Sequence, residues 1–528
     1  MFVIKETESL CPVCLQTVPA TIYVEDGKVY LEKRCREHGK FSDLYWGEYD
    51  QYVRAQKYEH FGTKLDNPRT EVKKGCPYDC GICPEHKTST VLGIIDVTNR
   101  CNLRCPICFA HAGAVGYVYE PTREQIREMM GNLLSNTPIW TPAIQFSGGE
   151  PTVRDDLPEL AEMAIEMGFV HVEVNSNGIR MAESVEYCRR LKVAGVSTVY
   201  LQFDGVTPEP YIATRGHDLL PIKMRAIRNL REAGFRSVVL VPVLVRGVND
   251  HQVGDIIRFA IANKDVIRGV NFQPVAITGR INKRKREEMR ITIPDLMRLT
   301  EEQTGGYIRE DDWYPIPSVL PICEFLSEAK NEPFVDFGVH PHCGMATYLY
   351  IEGDRATPIT RIVDVDDSLR TFEETTRKLR EGKGARANMK LVLWLIRNIR
   401  FKTFRNYLRQ VILHSDYLSL NLMHHEMMLI GAMHFMDPYN FDIERVQRCA
   451  IHYATPEGTL IPFCTMNNLH RQRIERKFAE PLTEGAITPL YDIEALTTRI
   501  LEEDRMEHIG DLVAPIQLNV GSEDTETT

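Results

Sequence analysis

Six short apolar runs alternate with five amphipathic stretches between residues 91 and 280, and this alternation limits the chain's fold more than any other feature. The runs are Val91–Val97, Ala143–Phe146, His171–Asn175, Thr198–Phe203, Ser237–Leu244 and Gly269–Pro274. Between them, Arg123–Leu133, Leu157–Met167, Ser184–Ala194, Pro221–Ala233 and Val253–Ala262 carry apolar residues at helical spacing. Strands separated by helices pair in parallel through right-handed crossovers, which gives an α/β barrel or open sheet. Six units predict a partial (β/α)6 barrel rather than the closed eightfold form.

Barrel chemistry sits at the carboxyl ends of the strands. There, after the first run, stands Asp96-Val-Thr-Asn-Arg100-Cys101-Asn-Leu-Arg-Cys105-Pro-Ile-Cys108-Phe109. Three thiols on a [4Fe–4S] cluster leave one iron without a protein ligand, open to a small molecule. The alternative reading of the cysteines alone is a zinc knuckle. Against it stand four further elements in order: Ser147-Gly148-Gly149-Glu150-Pro151, Asn175-Ser176-Asn177-Gly178, Gln202 with Asp204, and Val241–Val245 with Gln273-Pro274.

This set resembles the radical S-adenosylmethionine (SAM) superfamily, and the partial barrel is that superfamily's fold. The resemblance implies that Cys101, Cys105 and Cys108 are catalytic and hold the cluster. It implies that Gly148, Gly149 and Glu150 take the SAM amine, with Asn175, Ser176 and Asn177 nearby, Gln202 and Asp204 at ribose and carboxylate, and Ile107 and Gln273 beside adenine. The open iron would pass an electron into the sulfonium, releasing methionine and a 5′-deoxyadenosyl radical.

Fourteen cysteines in a chain expected in the reducing cytoplasm point to metal rather than disulfides. Residues 1–45 read as a mononuclear iron or zinc knuckle, with Cys11, Cys14, Cys35 and His38 as ligands and a strand pair turning at Asp26-Gly27. Residues 46–90 carry Cys76, Cys80 and Cys83 at the cluster spacing, without a preceding barrel strand. They read as an auxiliary [4Fe–4S] site whose fourth ligand is open among a distant cysteine, His86 and substrate; zinc is the alternative. Cys323, Cys343, Cys449 and Cys464 read as a second auxiliary set, the alternative being buried free thiols. The expected inventory is SAM, three [4Fe–4S] clusters and one mononuclear metal.

The remaining boundaries are a barrel over 91–285, whose end carries the charged run Asn282–Arg290 read as a solvated helix face, a loop-rich segment over 286–385, an apolar, basic helical segment over 386–440, a cluster-bearing hairpin with helices over 441–516, and a disordered tail over 517–528. The stretch Met389–Leu413 mixes apolar residues with Lys390, Arg397, Arg400, Lys402, Arg405 and Arg409 and no acid. It reads either as a packed helix with a cationic face or as a lipid-handling surface. Met423, Met427, Met428, Met433 and Met436 suit a tunnel wall or a plain core. A net charge of −10 excludes general nucleic-acid binding. No apolar run reaches the roughly eighteen residues of a spanning helix, so the expected location is cytoplasmic, with peripheral contact at the inner membrane face.

Across nearly its whole length the chain also resembles the archaeal tetraether lipid synthases, through the knuckle, Gly75-Cys76-Pro-Tyr-Asp-Cys80-Gly-Ile-Cys83-Pro84, the radical SAM core and the apolar extension. That resemblance implies joining the terminal methyl carbons of isoprenoid chains in archaeal diether lipids, with reduced ferredoxin or flavodoxin as electron donor. Methylation of a pterin ring is the enzymatic alternative, and a non-catalytic iron–sulfur electron carrier the other.

Overall fold

The computed structural model describes residues 1–352, 355–382, 427–481 and 491–504, with positions 391, 394, 397 and 398. The amino-terminal unit is a four-stranded antiparallel meander of β1 (Phe2–Leu10), β2 (Thr17–Glu25), β3 (Lys28–Cys35) and β4 (Gly39–Trp46). Asp26 and Gly27 both have positive φ, 50° and 73°, as a two-residue hairpin turn with the right twist requires. The sequence reading found the β2–β3 pair and missed its two flanking strands.

The barrel strands are β5 (Leu92–Thr98), β6 (Ala143–Gly148), β7 (His171–Ser176), β8 (Thr198–Gln202), β9 (Val238–Val241) and β10 (Ile267–Pro274), each paired in parallel with the next. The connecting helices include α1 (Arg123–Leu134), α2 (Leu157–Met167), α3 (Val185–Val193), α4 (Leu220–Glu232) and α5 (Val253–Ala262). The predicted runs and helices all form. Thr122 caps α1 through a reciprocal bond with Gln125, and Gly168 ends α2 in the left-handed region.

The chain then adds strands at both edges. Residues 286–385 hold the helix α6 (Leu320–Lys330), the helix Val365–Arg380 and the strand β11 (Gly344–Glu352), so the segment is less loop-rich than expected. β12 (Met427–Met433) pairs in parallel with β10 and antiparallel with β11. β13 (Ile451–Ala454) pairs in parallel with β5 at the opposite edge and antiparallel with β14 (Leu460–Pro462). The continuous order is β11-β12-β10-β9-β8-β7-β6-β5-β13-β14. Residues 427–433 are thus a sheet strand, with Met427 and Met428 buried in it, and not part of a helical segment. Most of Met389–Leu413, Met423 and the tail lie outside the described residues. A final helix, α7 (Ile493–Asp504), packs on α4.

The charged run Asn282–Arg290 is not a solvated face throughout. Its short helical turns end at Arg290, which is 3% exposed and bonds Asp43 of β4 and Asp437 beyond β12. A guanidinium can be buried when two carboxylates meet its planar fork.

Candidate active site

The loop after β5 is held from three sides. Gly149 N donates to Thr98 O at 2.8 Å and Glu150 N to Arg100 O at 2.9 Å. A Cβ on Gly148 would stand 2.0 Å from Thr98 O, and one on Gly149 2.2 Å from Arg100 O, so the two glycines admit the loop against the end of β6. Cys108 and Arg280 exchange backbone hydrogen bonds of 3.0 and 2.9 Å, and Arg280 Nε donates to Cys105 O at 2.6 Å. Ile107 N donates to Thr214 O, and Ile107 O accepts from Arg215. Both polar atoms of the Ile107 backbone thus take part in holding the loop.

Cys101, Cys105 and Cys108 open into a cavity of about 210 Å³. Gly148, Gly149, Glu150, Asn175, Ser176, Asn177, Gln202, Gln273 and Ile107 line it as well, so all but one of the expected SAM contacts are brought together. The exception is Asp204. It is fully buried and bonds Arg215 through both oxygens, at 2.6 and 2.9 Å. The cavity sees Arg215 instead, a residue the sequence reading missed because one arginine at a helix end carries no local signal.

Glu150 is 1% exposed and accepts from Thr152 N and Oγ1, Ser176 Oγ and Asn177 N at 2.5–3.1 Å. It ties the end of β6 to the end of β7. Burial still raises its carboxyl above the ordinary value, against those donors. Behind them lies Lys223, fully buried, which donates to Asn177 O and to Gln202 Oε1. Burial lowers its ammonium to about 7. Burial also raises the thiols of Cys101 and Cys105, so a bound cation is what favours their thiolates. Three inward thiols in a backbone-pinned loop suit a cluster with one iron left open. The far wall is aromatic: Phe435 stacks on Phe463 at 4.0 Å, with Tyr453 5.4 Å and Phe109 5.7 Å from Phe463.

In the amino-terminal meander, ligand atoms of Cys11, Cys14, Cys35 and His38 lie within 4.8 Å of one another. Cys14 and Cys35 sulfurs are 3.9 Å apart, and His38 Nδ1 is 3.7 Å from Cys11 and 3.5 Å from Cys35. Tetrahedral ligands at zinc bond lengths stand about 3.5–3.8 Å apart, so this set fits one mononuclear ion. The hydrogen bond with His38 brings the Cys35 thiol down to about 6.

Residues 95–260 match the model of the radical SAM superfamily, and residues 3–47 match the HMPTM N-terminal zinc ribbon domain. The chain is 50% identical over 494 residues to 7,8-dihydro-6-hydroxymethylpterin dimethyltransferase of Methanocaldococcus jannaschii, covering 91% of this chain and 96% of that one. The chain belongs to this dimethyltransferase's family, within the radical SAM superfamily. A GTP 3′,8-cyclase of Peptoclostridium acidaminophilum is 26% identical, over 43% of this chain and 69% of that one. Streptococcus suis SuiB bound to S-adenosylmethionine matches with a TM-score of 0.33 at 16% identity, over 42% of this chain and 45% of that one, a likeness too slight to carry an argument.

Membership in the dimethyltransferase family makes the chain a radical SAM enzyme, implying SAM, a [4Fe–4S] cluster and a reductant, and sets aside the electron-carrier alternative. It also overturns the lipid-coupling expectation: the relative matching nearly the whole chain is named for a pterin, and nothing here supports diether lipid substrates or a membrane contact. Among the described residues no helix is long and apolar enough to cross a membrane.

The remaining cysteines lie in several settings. Arg445 Nε donates to Cys343 Sγ at 3.4 Å, its charge also acts on the Cys449 and Cys464 thiols, and Cys464 lines the cavity. Cys323 has a different setting. It sits on α6 rather than in a loop, its charged neighbours are Asp336 and Glu324, and burial pushes its thiol up to about 12. Cys76 and Cys80 pack with Cys464 against one apolar cluster containing Leu10 and Met436. Cys83 lies in the same loop, and Nε2 of His86, beside it, is within hydrogen-bond distance of Thr88 Oγ1, His452 Nε2 and Cys449 O.

Proposed function

We propose that the chain is a radical SAM methylase that places methyl groups on 7,8-dihydro-6-hydroxymethylpterin. The observation that carries this reading is the 50% identity to the dimethyltransferase over 91% of this chain and 96% of that one. The cavity supports it. It is small, walled by stacked Phe435, Phe463 and Tyr453, and rimmed with side-chain amides, which suits a flat heterocycle.

In this reading Cys101, Cys105 and Cys108 hold the cluster, and Ser176, Asn177, Gln202 and Gln273 position SAM. Cluster and SAM together would supply a carbon radical able to take hydrogen from an unreactive C–H bond, the one electron being spent on cleaving the sulfonium, and the methyl carbon would come from a one-carbon donor, a second SAM in the test below. Glu150 and Lys223 act behind these groups by fixing Ser176, Asn177 and Gln202. The aromatic wall excludes water, which protects a radical from quenching. We assign one zinc or iron to the ribbon and auxiliary clusters to Cys76, Cys80 and Cys83 and to Cys343, Cys449 and Cys464, with ferredoxin or flavodoxin as donor.

The test is anaerobic incubation of reconstituted protein with SAM, reductant and the dihydropterin, followed by mass spectrometry. Pterin heavier by one and two methyl substitutions is the expected product. Protein that forms 5′-deoxyadenosine while leaving the pterin unmethylated overturns the reading.

A further inference from the structure

Side chains alternate along a strand, so Gln145, Tyr200 and Asn271 share the inward face with Ser147, Gln202 and Gln273 but lie one pleat deeper in the barrel. All three line the cavity. Barrel interiors are ordinarily filled by branched apolar residues at this depth. Here the layer is polar, and Gln145 and Asn271 are only 6% and 3% exposed.

The hydrogen bonds fix which polar atom each residue offers. Gln145 Nε2 donates to Glu173 Oε2 at 2.7 Å, and a carboxylate can only accept, so the Gln145 carbonyl oxygen is left without a partner among the described residues. Glu173 is itself held by His171 at 3.1 Å. Asn271 Nδ2 donates to the Tyr200 hydroxyl oxygen at 2.5 Å, which leaves the Tyr200 proton to be given elsewhere. Burial, with Glu173 nearby, raises the Tyr200 hydroxyl far above its ordinary value, so that proton is retained at any physiological pH. The buried layer therefore presents an acceptor from Gln145 and a donor from Tyr200. Buried polar groups without partners are costly unless a ligand or water meets them.

We propose that Gln145 and Tyr200, oriented by Glu173 and Asn271, read the lactam edge of a 2-amino-4-oxopyrimidine ring, Gln145 accepting from its N–H and Tyr200 donating to its carbonyl. This rests on the pterin reading above and adds the residues that select the ring. A 2,4-diamino ring of the same shape reverses the pattern, offering an N–H where Tyr200 donates and a bare nitrogen where Gln145 accepts.

The test is equilibrium binding to the reconstituted protein of the dihydropterin, its 2,4-diamino analogue, and GTP, which carries the same lactam edge on guanine. Wild type is expected to prefer the dihydropterin over the diamino analogue by about a hundredfold, since mismatched buried hydrogen bonds are strongly rejected. Tyr200→Phe and Gln145→Met should each weaken dihydropterin binding by about threefold to tenfold. Each should also shrink the preference over the diamino analogue, which loss of shape alone would not do. Wild-type binding of dihydropterin with the preference unchanged in both variants overturns the proposal and leaves the pterin reading standing. Binding of GTP in place of the pterin, with the same loss in both variants, supports the edge recognition and overturns the pterin reading. Binding of neither overturns both.

Discussion

Replacing Arg290 by methionine should loosen the ribbon from the barrel. The guanidinium is 3% exposed and spans two carboxylates, Asp43 at 3.1 and 3.2 Å and Asp437 at 2.7 and 3.2 Å. Asp437 has a fully buried side chain and also accepts from Ile277 N at 2.7 Å, next to the cavity-lining residues Ala276 and Thr278. Methionine fills similar volume but leaves the carboxylates short of their shared cation. Asp43 keeps Arg286 at 2.9 Å, whereas Asp437 loses its only guanidinium partner among the described residues. Removing one partner of a buried pair costs about 3–5 kcal/mol. At about 1.4 kcal/mol per decade, opening of this junction should become roughly a hundredfold to several thousandfold more frequent. Hydrogen exchange of the β3 and β4 amides in the metal-loaded protein reads that opening. Adding Asp437→Asn should recover part of the loss by removing the orphaned charge. A rise of less than about tenfold in β3 and β4, or a double variant as damaged as the two single costs added together, refutes the reasoning.

The same junction has a pH signature. Burial works to raise the Asp437 carboxyl, but the Arg290 charge and the donors around it carry it below its ordinary value of 3.8. Its contribution is present above that value and lost as pH falls through the depressed one, so β3 and β4 exchange corrected for intrinsic rate should stay flat at neutral pH and rise in strong acid. Gly149→Ala should disrupt the cysteine loop, because the added carbon meets Arg100 backbone oxygen at 2.2 Å; the measure is iron content with circular dichroism showing a folded chain. Cys101→Ala should abolish deoxyadenosine formation while the ribbon keeps its metal, and unchanged deoxyadenosine contradicts the catalytic assignment. Cys323→Ala should leave iron content unaltered and Cys464→Ala should lower it, and equal losses from both would put Cys323 among the cluster ligands.

The barrel was readable because its strands are short apolar runs bounded by turns and its helices carry a clear apolar stripe, both local signals. The ribbon was readable from ligand spacing. β12 was not: Met427-Met-Leu-Ile-Gly-Ala-Met433 is a short apolar run that periodicity cannot sort between helix and strand. Its identity comes from pairing with β10, more than 150 residues earlier. Arg290 was misread for a related reason. Six charged residues precede it in Lys283–Glu288, and nothing local singles out the one that meets Asp437. Arg215 and Lys223 are ordinary helix residues with no local signal, whereas Gly279-Arg280, just past the last barrel strand, is a legible sign of close backbone approach. The substrate class was the least legible, since cysteine spacing specifies the cofactor chemistry and leaves the ring or chain it acts on unstated.

Both margins of the parallel sheet are completed by one stretch of chain, β12 on one side and β13 on the other, with only residues 434–450 between them. A growing polypeptide that has already delivered every strand from β5 to β10 must therefore keep two raw edges exposed until residue 454 has left the ribosome. Unpaired parallel edges invite association with other chains. Synthesis halted in the preceding hundred residues should release a product prone to aggregate, and fragments of this protein should be rescued by supplying 427–481 in trans rather than by lengthening the barrel itself.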